Sequence, residues 1–325
     1  KTKAEEAKAK EAEEKRKTEE AKTKEAEEQK NIAEELVRKA QIQLMDAVKK
    51  TLEAEIKAKE ALASAQKATE LKELAEERFI DAESKALEAE HRTPSYVERD
   101  KYRHPKETLL FFGLNPEQSV VEITPGYGWY TEILAPLMRN KGQYSYASLE
   151  LHEKINPYFV KLERAFKEKM GKNPDIYDQL RWVHFDPKQP EFAPNGPVDM
   201  VLTFRNVHNW AKAGSAEAMF AGFAKALKSG GVLGVVEHRA KAGTPLDKQI
   251  ESGYMTEEYV IQIATDAGFK LDAKSEINAN PKDTADHPKG VWNLLPSLRG
   301  VKDDDKANII SIGESDRMTL RFIKE

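Results

Sequence analysis

Alanine recurs at every seventh position of this chain from residue 26 to residue 89, over ten consecutive heptads. A seven-residue apolar repeat is typical of a helix that packs along another helix. No proline or glycine interrupts residues 1–93, so the repeat can lie on one continuous helix. The sequence therefore predicts a long helical rod with a seam of small side chains. The seam consists of Ala26, Ala33, Ala40, Ala47, Ala54, Ala61, Ala68, Ala75, Ala82 and Ala89.

Charge and aromatic content separate this rod from the rest of the chain. Residues 1–90 hold 20 Lys/Arg and 24 Asp/Glu, whereas the other 235 residues hold 32 of each and 25 of the 26 aromatic residues. So charged a segment has too little apolar area to build a globular core alone. Pro94 disfavours a helical conformation at Thr93. We therefore predict a rod over 1–93 and a globular domain over 94–325, whose balanced charge argues against a nucleic-acid partner.

The alanine seam would face water on an isolated helix, so it indicates a partner. That partner is either another copy of the chain or a second helix folded back on the first. The alternative is a single solvated helix stabilised by ion pairs between residues four apart. We predict a homo-oligomer through the seam at 26–89. In composition and period the rod resembles the alanine-rich coiled coils of bacterial envelopes, such as the murein lipoprotein and the helical part of TolA.

Apolar, β-rich runs alternate with helical stretches after residue 93, a pattern typical of parallel βαβ units. The last two predicted strands have no long helix between them, so an antiparallel pair at one sheet edge is expected. The sum is an α/β doubly wound sheet. The predicted strands are 119–123, 143–149, 182–185, 198–204, 232–237, 269–275 and 317–323, and the predicted helices are 130–140, 152–170, 215–228 and 256–267.

The segment VVEITPGYGWYTEILAP, residues 120–136, combines a strand, an acidic residue and a glycine turn that leads into a helix. Glycines in such a turn let the backbone approach a ligand closely, and Glu122 can meet a polar ligand group. An ordinary strand-to-helix turn without a ligand is the alternative for this segment taken alone.

Together these features resemble the class I S-adenosylmethionine-dependent methyltransferases. More narrowly, the segments SYVERDKYRHPKETLLFFGL, FRNVHNW, DHPKGVWNLLP and IGESDRMTLRF are similar to a little-characterised bacterial group of predicted methyltransferases. That resemblance covers about 95–325 and not the rod. It implies a Rossmann-like sheet and S-adenosylmethionine as cofactor. Thr124 stands where the family usually has a glycine.

The resemblance also implies which residues meet the methyl donor. The glycine turn would line the methionine and ribose part, Glu150 would accept the ribose hydroxyls, and Asp186 would lie near the adenine amine. The loop after the fourth strand would close over the donor. The implied cofactor-binding residues are Glu122, Gly126, Tyr127, Gly128, Glu150, Asp186, Phe204, Arg205 and Asn206.

His208 and His238 are the candidate catalytic residues. Both follow predicted strands at the carboxyl edge of the sheet, where ligands bind in open α/β folds. A base is needed only where the methyl acceptor loses a proton. The alternative is that either histidine is a hydrogen-bonded structural residue. Asp303-Asp304-Asp305 lacks the spacing of a calcium loop, and the scattered His104, His152, His184 and His287 lack metal-ligand spacing, so we predict no metal site.

Two functions fit these features. The first is S-adenosylmethionine-dependent methyl transfer to a small-molecule acceptor by a subunit that self-assembles through its rod. The second is a catalytically inactive, methyltransferase-fold structural protein that forms a filament or an envelope-associated array. An active enzyme would be expected in the cytoplasm, and the Lys1 start is the hint of signal-peptide removal and export. The sequence contains no run of about 18 apolar residues, so it predicts no membrane-spanning helix.

Overall fold

The computed structural model describes residues 2–153 and 155–325, without the side chains of residues 2, 71–72, 75–76, 78–79 and 81–83. Ala75 and Ala82 of the predicted seam therefore lie outside the described side chains. The chain divides into two compact units, Lys1–Glu73 and Leu74–Glu325. The helices are α1 (Thr2–Leu87), α2 (Pro94–Val97), α3 (Asp100–Arg103), α4 (Pro105–Phe112), α5 (Thr131–Met138), α6 (Pro157–Gly171), α7 (Pro174–Tyr177), α8 (Val207–Ala213), α9 (Ala216–Ala226), α10 (Leu246–Ser252), α11 (Glu257–Asp266) and α12 (Asp303–Ile312), with a 3₁₀ turn at Gly290–Asn293.

The first unit is helical throughout its described part. Every residue from 3 to 70 is exposed, so within these residues no second helix folds back on the first. Large apolar side chains on this helix face water, including Val37 at 58%, Leu44 at 66% and Val48 at 60% exposure. These side chains leave apolar surface available to a partner. None of the described helices is long and apolar enough to cross a membrane.

Seven strands form one sheet in the order β3-β2-β1-β4-β5-β7-β6. Strands β1 to β5 run parallel to one another, whereas β7 runs antiparallel to both β5 and β6. The predicted doubly wound α/β sheet with antiparallel edge strands, preceded by a long helix, is confirmed. The strands are β1 (Ser119–Ile123), β2 (Gln143–Leu149), β3 (Arg181–Phe185), β4 (Val198–Phe204), β5 (Leu227–His238), β6 (Phe269–Ser275) and β7 (Arg317–Lys324).

Strand β5 begins at Leu227, five residues before the predicted start at Val232. Leu227 pairs with Val198, and Val232 pairs with Met200. A bulge between these two pairs contains Gly230 and Gly231. The prediction of the strand start was wrong because glycines mark bulges as well as turns.

The sheet buries one apolar layer on each face. Val121 and Ile123 of β1 lie in the layer formed with α9 and α11, whereas Val120 lies in the layer formed with α4, α5 and α6. This alternation follows from the two-residue period of a strand. It also places Glu122 on the face of Val120, beneath α5.

Residues 91–93 are anchored to α5. The His91 ring nitrogen Nε2 lies 2.8 Å from the carbonyl oxygen of Glu132, and the backbone and hydroxyl of Thr93 both donate hydrogen bonds to the Glu132 carboxylate. Lys169 of α6 neutralises that buried carboxylate at 2.6 Å. Ala86 is buried in the same apolar layer as α5. The end of α1 is therefore part of the second unit.

Gly290 allows a close approach that an added methyl group would prevent. Its φ is +56°, and an ideal Cβ would lie 1.9 Å from the carbonyl oxygen of Ser252. We expect Gly290→Ala to lower the free energy of unfolding by about 2–5 kcal/mol, since left-handed strain adds to overpacking. Gly243, with φ of +74° and open space around it, is the matched control, and Gly243→Ala should cost only about 1–2 kcal/mol. Urea unfolding measures both; equal losses would contradict the contact.

Candidate functional site

A cavity of about 240 Å³ lies over the carboxyl ends of β1, β4 and β5. Its walls come from the β1–α5 turn, the β4–α8 turn, the end of β5, and the segment after the 3₁₀ turn, with Arg103 of α3 at one side. These ends meet because parallel strands present their carboxyl termini at one edge of the sheet. The doubly wound topology thereby brings functional side chains from distant parts of the sequence into one cavity.

The β1–α5 turn presents an open backbone to this cavity. Thr124 and Gly126 adopt left-handed conformations, with φ of +48° and +65°, and both line the cavity. A Cβ added at Gly126 would meet no atom within 4 Å. The buried hydroxyl of Thr124 has no hydrogen-bond partner in the described structure. A strained β-branched residue with an unsatisfied hydroxyl is characteristic of a functional loop rather than of a packed turn.

Glu122 is buried at the floor of the cavity. It accepts hydrogen bonds from the Tyr144 hydroxyl and, at 3.3 Å, from the Thr131 hydroxyl. Burial raises the pKa of Glu122 to about 7, against the opposing effect of these two hydrogen bonds. The carboxyl group therefore changes its charge near neutral pH.

The β4–α8 turn contributes Phe204, Arg205 and Asn206 to the cavity wall. Phe204 stacks on the ring of Tyr130, with 3.6 Å between the ring centroids. Asn206 Nδ2 donates to the carbonyl oxygen of Ile123 at 2.9 Å, which ties the end of β4 to the end of β1. Arg205 is held at φ of +61°, and its backbone N–H donates to Val236 at 2.7 Å. All three residues thus have fixed positions.

His208 is oriented by Glu237, a residue that the sequence analysis did not single out. His208 Nδ1 lies 3.0 Å from the Glu237 carboxylate, and both side chains are buried. The backbone N–H of His208 also donates to this carboxylate, at 3.3 Å. Among the described residues only Nδ1 of the His208 ring has a hydrogen-bond partner, which leaves Nε2 for a ligand. The position of Glu237 at the end of a predicted strand was the signal that could have identified it.

His238 has a different environment from His208. Its Nδ1 lies 2.5 Å from the Ser315 hydroxyl, and its ring centroid is 5.3 Å from that of His208. Burial, then His208 and the nearby arginines, hold the pKa of His238 well below its usual range. The His238 side chain is therefore neutral at physiological pH.

His208, Glu237 and His238 could together offer three ligand atoms to a metal ion, since these atoms lie within 4.8 Å of one another. The surrounding charge opposes a cation. Besides burial and His208, the positive charges of Arg103, Arg205 and Arg317 lower the pKa of His238. A positive potential that disfavours a proton at this place also disfavours a divalent metal ion. The arrangement is better suited to proton transfer than to metal binding.

Arg103 is a cavity residue that no sequence pattern indicated. Its side chain is 4% exposed, lies over the Trp129 ring at 4.6 Å, and shares the Glu314 carboxylate with Arg99 and Arg317. The Nη2 of Arg103 is buried and has no hydrogen-bond partner within the described residues. No pattern in the sequence distinguishes Arg103 from its charged neighbours, because α3 meets β7 only in the folded chain.

Four residues predicted to bind the donor lie outside the cavity. The Tyr127 side chain is 46% exposed, and Gly128 packs against Phe166 of α6. Glu150 and Asp186 are exposed at the ends of β2 and β3, where the Glu150 backbone N–H donates to Phe185 at 2.9 Å. The structure thus brings Glu122, Gly126, Phe204, Arg205, Asn206, His208 and His238 to one cavity and leaves the two acidic residues at an open edge beside it.

Neither a protein-family model nor a curated protein matches this chain. Among solved structures it is similar to a SAM-dependent methyltransferase from Aquifex aeolicus, with 18% identity, a TM-score of 0.44, and coverage of 57% of this chain and 88% of that one. It is also similar to the glycopeptide N-methyltransferase MtfA, with 13% identity, a TM-score of 0.45, and coverage of 72% and 99%. A third is the O-methyltransferase NcsB1 from neocarzinostatin biosynthesis, with 13% identity, a TM-score of 0.43, and coverage of 71% and 56%.

The raised pKa of Glu122 predicts a pH-dependent loss of stability. The folded protein holds a proton on Glu122 up to about pH 7, whereas the unfolded chain releases it near the ordinary glutamate pKa of 4.5. Stability contributed by this proton is therefore lost as pH rises from 5 to 8. Relative to Glu122→Gln, the unfolding free energy of the native protein should fall by about 2.5 kcal/mol over that range.

Urea unfolding at pH 5 and pH 8 measures this difference. Glu117→Gln, at an exposed position, is the control that should follow the native protein at both pH values. If Glu122→Gln and the native protein show the same pH dependence, Glu122 is ionised in the folded state and the assignment fails.

Proposed function

We propose that this protein transfers a methyl group from S-adenosylmethionine to a small-molecule acceptor. The observation that carries the proposal is the shared cavity: Gly126 of the open glycine turn and His208, which Glu237 orients, both lie on its wall, although they are 82 positions apart in sequence. The resemblance to class I methyltransferases assigns the turn to the donor. His208, held by the Glu237 carboxylate, has the arrangement of an oriented general base.

The residues present fit such a donor. The left-handed backbone and the open space at Gly126 provide a cradle for the methionine part. A cavity of about 240 Å³ is smaller than the usual range for drug-sized ligands, roughly 300–1,000 Å³. The adenosine part would therefore lie outside it, along the open edge with Glu150 and Asp186. When bound, the donor supplies an electrophilic methyl group on a sulfonium.

The side chains of the cavity would align the acceptor and accept its proton. His208 Nε2 can take a proton from an acceptor hydroxyl or amine, while Glu237 stabilises the imidazolium that results. His238, which is neutral, can hydrogen-bond the acceptor without repelling it. Trp129, Tyr130 and Trp292 exclude water from the same space.

Donor binding is the direct test, because it needs no knowledge of the acceptor. We expect titration calorimetry on the full chain to show S-adenosylhomocysteine binding. Gly126→Val should weaken this binding at least ten-fold, since the new side chain occupies the cradle. Gly214→Val is the matched control, because Gly214 has φ of +67° and open space but lies away from the cavity.

Gly128→Val would be a poor test, since its Cβ would lie 2.7 Å from the Phe166 ring and disturb the core. Equal affinity of Gly126→Val and the native protein would contradict the assignment of the cradle. No binding of either S-adenosylmethionine or S-adenosylhomocysteine at millimolar concentration would favour the structural-protein alternative.

Self-association through the rod is the second part of the proposal. It is supported by the alanine seam and by large apolar side chains that are more than half exposed on the same helix. Burying this surface between copies would remove it from water, which is the main driving force of helix association. The rod would thereby hold several copies of the methyltransferase unit together.

Charge placed on the seam should prevent this association. We expect Ala61→Glu with Ala68→Glu to convert an oligomer into a monomer in sedimentation velocity experiments on the full chain, because two carboxylates per chain would face each other across the seam. Ala63→Glu with Gln66→Glu adds the same charge away from the seam and should leave the oligomer intact. A monomeric native protein would instead establish the solvated single helix.

A further inference from the structure

We propose that the cavity contains an anion-binding subsite formed by Arg103, Arg205 and Thr124, and that the methyl acceptor therefore carries a carboxylate or phosphate group. The assignment of the anion to a methyl acceptor rests on the proposed methyl transfer, whereas the subsite itself is argued from the geometry of the cavity. The three residues come from α3, the β4–α8 turn and the β1–α5 turn, and all three line the cavity.

Unsatisfied donors point to a ligand at this place. Arg103 is only 4% exposed. Its Nη2 atom is buried and has no hydrogen-bond partner in the described part of the chain. The Thr124 hydroxyl, which can also donate, is in the same state. Leaving a buried charged donor unpaired costs more than leaving a neutral one, so a ligand that accepts hydrogen bonds here is favoured. An anion satisfies both requirements at once.

The local charge is positive and only partly compensated. Arg99, Arg205 and Arg317 all act on Arg103, and Glu314 opposes them. Glu314 is shared by Arg99, Arg103 and Arg317. One carboxylate shared by three arginines leaves positive charge beside the cavity. A ligand with one or two negative charges would complete the balance.

The structure also holds Arg205 in position without a ligand. Its left-handed backbone is fixed by the hydrogen bond to Val236 and by the adjoining Asn206 contacts. Burial, and after it Arg317, lowers the pKa of Arg205 to about 10. Strained residues that persist in a rigid frame are typical of preorganised ligand contacts.

His208 lines the same small cavity, so an anion bound at the arginines lies beside the proposed base. This placement assigns the anion to the acceptor, whose nucleophile must approach His208 Nε2. The donor also carries a carboxylate, and an experiment must separate the two sources.

The probes are inorganic phosphate, acetate and benzoate, with benzamide as the neutral counterpart of benzoate. Titration calorimetry on the full chain, with and without saturating S-adenosylhomocysteine, should show benzoate binding at least ten-fold more tightly than benzamide. Arg103→Gln should weaken benzoate binding at least ten-fold and change benzamide and S-adenosylhomocysteine binding less than two-fold. Arg103→Gln should still fold, because Glu314 retains Arg99 and Arg317.

Arg139→Gln is the matched control, since it removes an arginine that pairs with Asp178 on the surface. No preference for any of the three anions over benzamide would overturn the subsite. A parallel loss of S-adenosylhomocysteine affinity in Arg103→Gln would assign the anion to the donor and overturn the acceptor inference. Anion selectivity in a protein that binds no donor would uphold the subsite and refute the proposed methyl transfer.

Discussion

The buried carboxylate of Glu314 is the interaction on which the arrangement of the cavity depends. Arg99 and Arg103 reach it from the segment before the sheet, and Arg317 reaches it from β7. Burial opposes ionisation, yet these arginines hold the pKa of Glu314 well below its usual range. Removing this carboxylate would leave three cations close together in a medium of low dielectric, so the N-terminal and C-terminal parts of the second unit are held to one geometry.

The same cluster links stability to the proposed function. The arginines around Glu314 create a positive potential at the cavity, and burial together with this potential keeps His238 neutral. His208 is held in place by its contact with Glu237. One cavity can therefore combine an oriented base, a neutral hydrogen-bonding group and an electrostatic preference for anions.

Strand positions were largely predictable, because buried parallel strands are continuous apolar runs and their ends meet the ligand edge. The predicted 119–123, 143–149 and 198–204 agree with β1, β2 and β4. Local sequence was less informative where packing decides a role. Gly128 and Gly126 are two residues apart in one turn, yet only Gly126 lines the cavity, because α6 packs on Gly128. That packing could not be read from the turn.

The helical first unit and the α/β class of the second follow from the sequence, because heptad spacing, charge and apolar runs are local properties. The strand pattern also made His208 and His238 candidates, and both lie on the cavity wall. The folded chain was needed to show that Glu237 orients His208, that Arg103 enters the cavity, and that Glu150 and Asp186 lie outside it. Each of these relations joins residues from separate helices and strands. Their side chains become neighbours only when the strand crossovers and the burial of the charged groups are complete, so no local sequence pattern predicts them.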